Sequence, residues 1–240
     1  MEIRGLGTLV NVLCILLGGL VGYLAGNRLR EPVRETLMAL MGVGVMVLGL
    51  AGALAEMLTL QDGKLVSGGT IMLIVSLGAG GVIGEALRLE DQVLRFGTWL
   101  KVKSRSSGDN TFVEGFVTAS CTVCIGAMAV IGSIQDGIWG DWSVLAAKGV
   151  IDAILVCVMA AAQGKGCIFS AIPVGLLQGC LTALAYLAGD FLPQRSLAHL
   201  SLVGSVLIFC VGLNLIRENQ IRVANALPAV LIAILWGFFA

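Results

Sequence analysis

Charged residues divide this chain into long uncharged runs, and the length of those runs restricts the fold more than any motif does. They cover 5–27, 36–55, 65–84, 115–135, 166–189, 196–216 and 223–240, each 18 to 24 residues long. At about 1.5 Å per residue, a helix of that length crosses a hydrocarbon core of about 30 Å. An eighth segment, 143–163, has the same length and apolar character but contains Lys148 and Asp152. Composition agrees: 58% of residues are hydrophobic and 12% charged, against about 45–50% and about 25% in a soluble domain. Lipid offers unpaired backbone groups no partners, and no segment shows the polar alternation of a membrane barrel. The expectation is an all-α polytopic membrane protein of about eight transmembrane helices.

The first run, behind Arg4, has the outline of a signal peptide. It is long for one, is followed by Arg28, Arg30 and Arg34, and ends in a phrase that recurs inside the chain, so it is read as a span. With eight spans, one side carries Arg4, Lys64 and Arg195. The other carries eleven basic residues, Arg28, Arg30, Arg34, Arg88, Arg95, Lys101, Lys103, Arg105, Lys165, Arg217 and Arg222. The positive-inside rule then puts both termini on the non-cytoplasmic side of the membrane. The net charge of zero says nothing further about partners, and no nucleic-acid partner is expected. All seven cysteines fall within or at the edge of spans. Cys121 and Cys124 form a lone C-x-x-C with no second pair and no nearby histidine, so apolar packing is the reading and no metal or cofactor is expected.

"YLAG" at 23–26 recurs at 186–189, an offset of 163. At that offset, 10–53 and 173–216 share ten identities in 44 positions without a gap. The copies end spans 1 and 6, which cross in opposite directions. "GAGGVIG" at 78–84 and "GAMAVIG" at 126–132 echo each other in spans 3 and 4. The architecture expected is one transmembrane domain over 1–240, arranged 3 + 2 + 3. A first repeat unit at 1–88 is followed by a cytoplasmic interfacial linker at 89–110 and a central two-helix unit at 111–165. A second, inverted unit follows at 166–240. Inverted repeats suit transporters, because two similar halves exchange conformations around one site. The alternative is that glycine-rich phrases recur wherever helices pack closely.

Polar groups at membrane depth are the candidate chemistry. Lys148 and Asp152 stand four apart on one face of span 5. They read either as a coupling or gating pair lining a pathway or as a strut between helices. Gln178, with Thr182 one turn on, either coordinates solute or bonds a neighbouring helix. Ser120 and Thr122, among the glycines of span 4, fit either a broken helix facing a cavity or close packing. Gly78, Gly84, Gly126 and Gly132 are packing or cavity glycines. Asn11, Asn214 and Asn225 read as caps or interhelical bonds near the membrane faces, and Asp136 and Asp141 as turn residues. No catalytic motif is present, so no enzyme is expected. The segment 85–114 reads as a helix on the leaflet or as a solvated linker.

"FVTASCTVCIGAMAVIGSIQDGIWGD", "AAKGVID", "SAIPVGLLQG" and "VGLNLI" with "IRVANALPA" resemble the bacterial inner-membrane family typified by YqgA and YdfK. The likeness covers essentially the whole chain. It falls on Gly126, Ala127, Met128, Gly132, Asp136, Gly137, Lys148, Asp152, Pro173, Gln178, Gly179, Asn214, Asn225 and Pro228. It implies an inner-membrane address and no particular substrate. The function expected is a transporter or channel for a small solute or ion, with Lys148, Asp152 and Gln178 near the pathway. The alternative is a non-transporting scaffold or regulatory partner. The lipid bilayer is the certain partner, and the many glycine faces fit a homodimer.

Overall fold

The computed structural model describes residues 4–26, 30–61, 63–106, 108, 110–124, 127–188, 193–217 and 221–239. In chain order these form α1 (Leu6–Gly26), α2 (Glu31–Met57), β1 (Leu58–Gln61), β2 (Lys64–Ser67), α3 (Thr70–Leu87), α4 (Leu89–Lys103), α5 (Phe112–Cys124), α6 (Ala127–Trp139), α7 (Ser143–Gln163), α8 (Ala171–Ala188), α9 (Gln194–Ile216) and α10 (Pro228–Phe239). Two 3₁₀ turns, Lys165–Ser170 and Val223–Ala226, precede α8 and α10. The chain is an all-α polytopic membrane protein. Each of the eight apolar segments contains a helix, but among the described residues six are long and apolar enough to span unaided. The segment expected as span 4 is two helices, α5 and α6, inclined at 60°. The last segment is a 3₁₀ turn followed by a helix of 12 residues.

Two further departures have local causes. The run 65–84 begins as a strand, because β2 pairs antiparallel with β1, Leu58 opposite Ser67 and Gln61 opposite Lys64. The helix α3 therefore starts at Thr70 and runs past Glu85 to Leu87. At the other end of its range, α2 starts before Glu35, and Pro32 sits in its first turn, where the missing N–H costs nothing.

Contacts divide the chain into two compact units, each assembled from segments distant in sequence. The first contains α1, the start of α2, α4 from Leu94, α5, α6 from Met128, α7 and α8. In lipid, helices are held by van der Waals packing rather than by the hydrophobic effect, so close approach matters most. Gly18, Gly22 and Gly26 of α1 lie against the backbone carbonyls of Ala153, Cys157 and Ala161 of α7, and a Cβ at any of the three would overlap them. Both numbers rise together by fours, so α1 and α7 run parallel. Gly164 ends α7 at φ 84 and ψ −166, a conformation open to glycine alone, and turns the chain into the 3₁₀ segment. There Gly166 meets the backbone of Phe112, and Phe112 packs on Phe169 at 5.2 Å. Antiparallel to α1, α8 crosses it where a Cβ on Gly175 would lie 3.2 Å from Val12.

The second unit contains the rest of α2, the hairpin, α3, the start of α4, α9 and α10. Its core holds Met72, Leu202, Val203, Ala229 and Ala233. Gly80 and Gly84 of α3 lie against Ala229 and Asn225, and Ser196 of α9 donates to the Ile234 carbonyl at 2.8 Å. The α2–α9 contact has an internal regularity. A Cβ on Gly212 would meet Met46 N and Gly42 O at 2.6 and 2.7 Å. One on Gly49 would meet Phe209 N and Ser205 O at 2.5 and 2.6 Å. Shifting each number by 163 turns one environment into the other. In the first unit, Val12 and Gly175 are likewise 163 apart and form a pair that is its own image.

The segment 85–114 contains a true helix. Arg88, at φ 50, closes α3 in the left-handed region. Then α4 opens with Glu90 and Asp91 and closes with Lys101 and Lys103, matching its macrodipole at both ends.

Candidate functional site

The spacing that put Lys148 and Asp152 on one face of α7 brings them together as a buried pair, with side chains 7% and 4% exposed. The Lys148 ammonium donates to the Asp152 carboxylate and, at 2.8 Å, to the carbonyl of Val123. That carbonyl belongs to the last turn of α5, where helix carbonyls lack an intrahelical N–H donor and the helix carries partial negative charge. The interruption of span 4 therefore supplies one of the two acceptors that hold Lys148. Thr122 contributes to the interruption in its own way, since its hydroxyl donates back to the Thr118 carbonyl at 2.8 Å, an arrangement that bends helices.

Asn11 of α1 completes the cluster. Because residue 149 is glycine, α1 approaches closely: a Cβ there would lie 3.2 Å from the Asn11 Cα. The Asn11 amide, fully buried, sits beside the Asp152 carboxylate but outside normal hydrogen-bond geometry. Of the two sequence readings, a cap or an interhelical contact near a membrane face, the structure gives Asn11 the interhelical place. The missed signal was its place on a stripe with Ile15, Gly18 and Gly22, the face that α1 turns to α7.

Further polar groups of this unit are buried without a partner among the described residues. Ser120 Oγ is one, and both amide atoms of Gln178 are others, in a side chain with no exposure at all. One turn from Gln178, Thr182 lies with Thr8, Arg4 and Tyr186 along a groove of about 810 Å³ between α1 and α8. The structure thus brings Lys148 and Asp152 together with Asn11. It places Thr182 in a separate groove, uses Thr122 inside its own helix, and leaves Ser120 and Gln178 without a partner among the described residues. Gly126 lies outside the described residues. Gly132 packs on Leu145, 2.9 Å from where its Cβ would be. In the other unit Gly84 makes a close contact, whereas a Cβ on Gly78 would meet nothing, and Gly80 makes the approach instead.

Asp136 corrects the expectation of a surface turn. It is in the last turn of α6 with no exposure, and its two carboxylate oxygens accept the N–H groups of Gly5 and Gly7 at 3.1 Å each. It closes the N-terminal end of α1 in place of a local cap. Asp141 is the exposed turn residue expected; it accepts the Ser143 N–H at 3.0 Å, and bonds from Ser143 hold its carboxyl below the usual range. Asn225 accepts the Glu90 N–H at 2.7 Å, and Asn214 clamps Ile221 through both amide atoms. Partial burial pushes the Glu90 carboxyl up, against the lowering effect of the Ala224 N–H and Arg222.

Close-packed apolar helices with one ion pair buried at a helix interruption define a polytopic α-helical membrane protein. The chain belongs to the family described as "Protein of unknown function (DUF554)", whose model matches residues 6–238. It is 28% identical over 226 residues to an uncharacterized membrane protein, YdfK, of Bacillus subtilis, covering 94% of this chain and 93% of that one. It is 26% identical over 232 residues to an uncharacterized protein, YqgA, of Escherichia coli, covering 95% and 94%. No solved structure matches.

Proposed function

We propose that this protein passes a small solute or ion across a bacterial inner membrane, as a transporter or channel, without catalytic chemistry. The observation that carries the reading is the Lys148–Asp152 pair, lodged against the Val123 carbonyl where α5 gives way to α6. Discontinuous helices whose free carbonyls and charged side chains meet inside the membrane are how transporters build sites from backbone. A buried pair kept only for stability is a poor investment, since apolar residues of similar volume usually do as well.

The paired environments of Gly49 and Gly212 support an inverted repeat. Two antiparallel helices related by a two-fold axis make each contact twice, once from either side, as α2 and α9 do. The imbalance of basic residues, eleven against three, supports termini outside the cytoplasm.

Flux from proteoliposomes tests the reading. Vesicles holding purified protein are loaded in turn with potassium, sodium, chloride, acetate and glycerol, and efflux is compared with that from protein-free vesicles. At least one solute should leave faster, and a folded Lys148→Met/Asp152→Leu double variant should return that rate to the protein-free value. Full flux in the double variant would put the pair outside the pathway. Absence of flux for every solute would favour the scaffold alternative.

A further inference from the structure

The groove along α1 and α8 has a chemistry that the ion pair does not explain. Arg4 stands at its rim, with its guanidinium 4.8 Å from the centre of the Tyr186 ring and one N–H directed to the Ile138 carbonyl at 3.4 Å. A guanidinium has five N–H donors, so most of its capacity faces elsewhere. Inside the groove, Thr8 and Thr182 are 8% and 6% exposed, and neither hydroxyl has a partner among the described residues. Buried hydroxyls without partners are uncommon in folded proteins, because each sacrifices its hydration. The Asp136 carboxylate, two residues before Ile138, has its oxygens on the backbone N–H groups of Gly5 and Gly7 at the start of α1. Gly179 leaves the floor open: a Cβ there would meet nothing within 4 Å. A volume of about 810 Å³ lies within the range of small-molecule sites.

We propose that this groove binds a small oxyanion, a carboxylate or phosphate group held by the Arg4 guanidinium and by the Thr8 and Thr182 hydroxyls. A guanidinium presents paired N–H groups in the plane that such an oxyanion accepts, and hydroxyls donate to its remaining lone pairs. The site stands on its own geometry. Its role as the mouth of a pathway rests on the transport reading, in which Gln178, one turn along α8 from Thr182, is the next polar group. The same chemistry fits a dissolved anion or a lipid headgroup.

Ala183, exposed in the groove and making no part of the proposed contacts, can carry the reporter. The full chain, with its native cysteines replaced and Ala183→Cys introduced, is placed in phosphatidylcholine vesicles. It is then reacted with an anionic and a cationic methanethiosulfonate of similar size. Relative to their rates with a free small-molecule thiol, the anionic reagent should react about tenfold faster, a ratio expected of one nearby charge at intermediate dielectric, and Arg4→Gln should bring that normalised ratio near one. Acetate, succinate or inorganic phosphate should slow the labelling, while acetamide and ethylammonium should not.

Thr8→Val/Thr182→Val, which keeps shape and removes the hydroxyls, should raise the protecting concentration at least tenfold. Gly179→Leu, which fills open space, should abolish protection. If protection comes only when phosphatidylglycerol is added, the oxyanion is a headgroup. If it comes from the soluble anions, it is a solute. A thiol that neither soluble anions nor phosphatidylglycerol protect, or a charge preference that survives Arg4→Gln, would overturn the proposal. Flux can fail while protection succeeds, which would leave an oxyanion-binding membrane protein that does not transport.

Discussion

An ammonium and a carboxylate buried together are stable only as a pair, and that dictates how substitutions at Lys148 and Asp152 behave. Lys148→Met alone strands a carboxylate in an apolar interior, and Asp152→Leu alone strands an ammonium. Each should lower stability by about 3–5 kcal/mol, the usual result of breaking a buried pair from one side. Lys148→Met/Asp152→Leu strands neither and should unfold near the wild-type midpoint in detergent, so loss of flux in it cannot be laid to misfolding. Glu90 is the opposite case, an acid outside the spans whose carboxyl is pushed up by burial. A raised folded value means that its charged form opposes folding, with the deficit absent below the unfolded value and complete once pH passes the folded one. Glu90→Gln, which still accepts the Ala224 N–H, should therefore be at least as stable as wild type at pH 7. The gap should close as pH falls to about 4, the unfolded range of a glutamate. Glu90→Ala loses the acceptor and should cost about 1 kcal/mol. Thermal unfolding across pH separates the three.

Helix packing shows which parts of the fold were legible. Span positions could be read because charges are excluded from lipid, and that exclusion leaves gaps in the sequence. The same reading could not see the β1–β2 hairpin, since Leu58, Leu60, Leu65 and Val66 are as apolar as a span and differ only in lying on two paired strands. It left the break between α5 and α6 as one of two alternatives, because Ser, Thr and Gly serve close packing as well as interruption. What decides is tertiary: the Lys148 ammonium accepted by the Val123 carbonyl, 25 residues away. Nor could sequence choose among the glycines of α3. Gly78 and Gly80 sit two positions apart and face different surroundings. Gly22→Leu, which drives a side chain into the Cys157 carbonyl, should cost at least about 1–3 kcal/mol as an overpacked contact. Gly78→Leu should be close to neutral. Thermal aggregation of the two proteins in detergent makes the comparison.

At the scale of the whole molecule, the proposed inverted repeat requires two copies of one helical pattern to cross the membrane in opposite directions. Single cysteines at Tyr23 and Tyr186, the matching ends of α1 and α8, should then be reached by an impermeant reagent from opposite sides. The transport reading holds only if the polar cluster of α1, α5 and α7 is wet. Asn11→Cys tests that most directly, because it places a thiol beside Asp152 and leaves the ion pair intact. In a background free of native cysteines, a membrane-impermeant thiol reagent is added to each side of the membrane in turn, with Leu60→Cys as the exposed control. The account predicts labelling from both sides, slower than at position 60. A folded protein whose thiol is reached from neither side would show the cluster to be dry, and would reduce Lys148 and Asp152 to a strut.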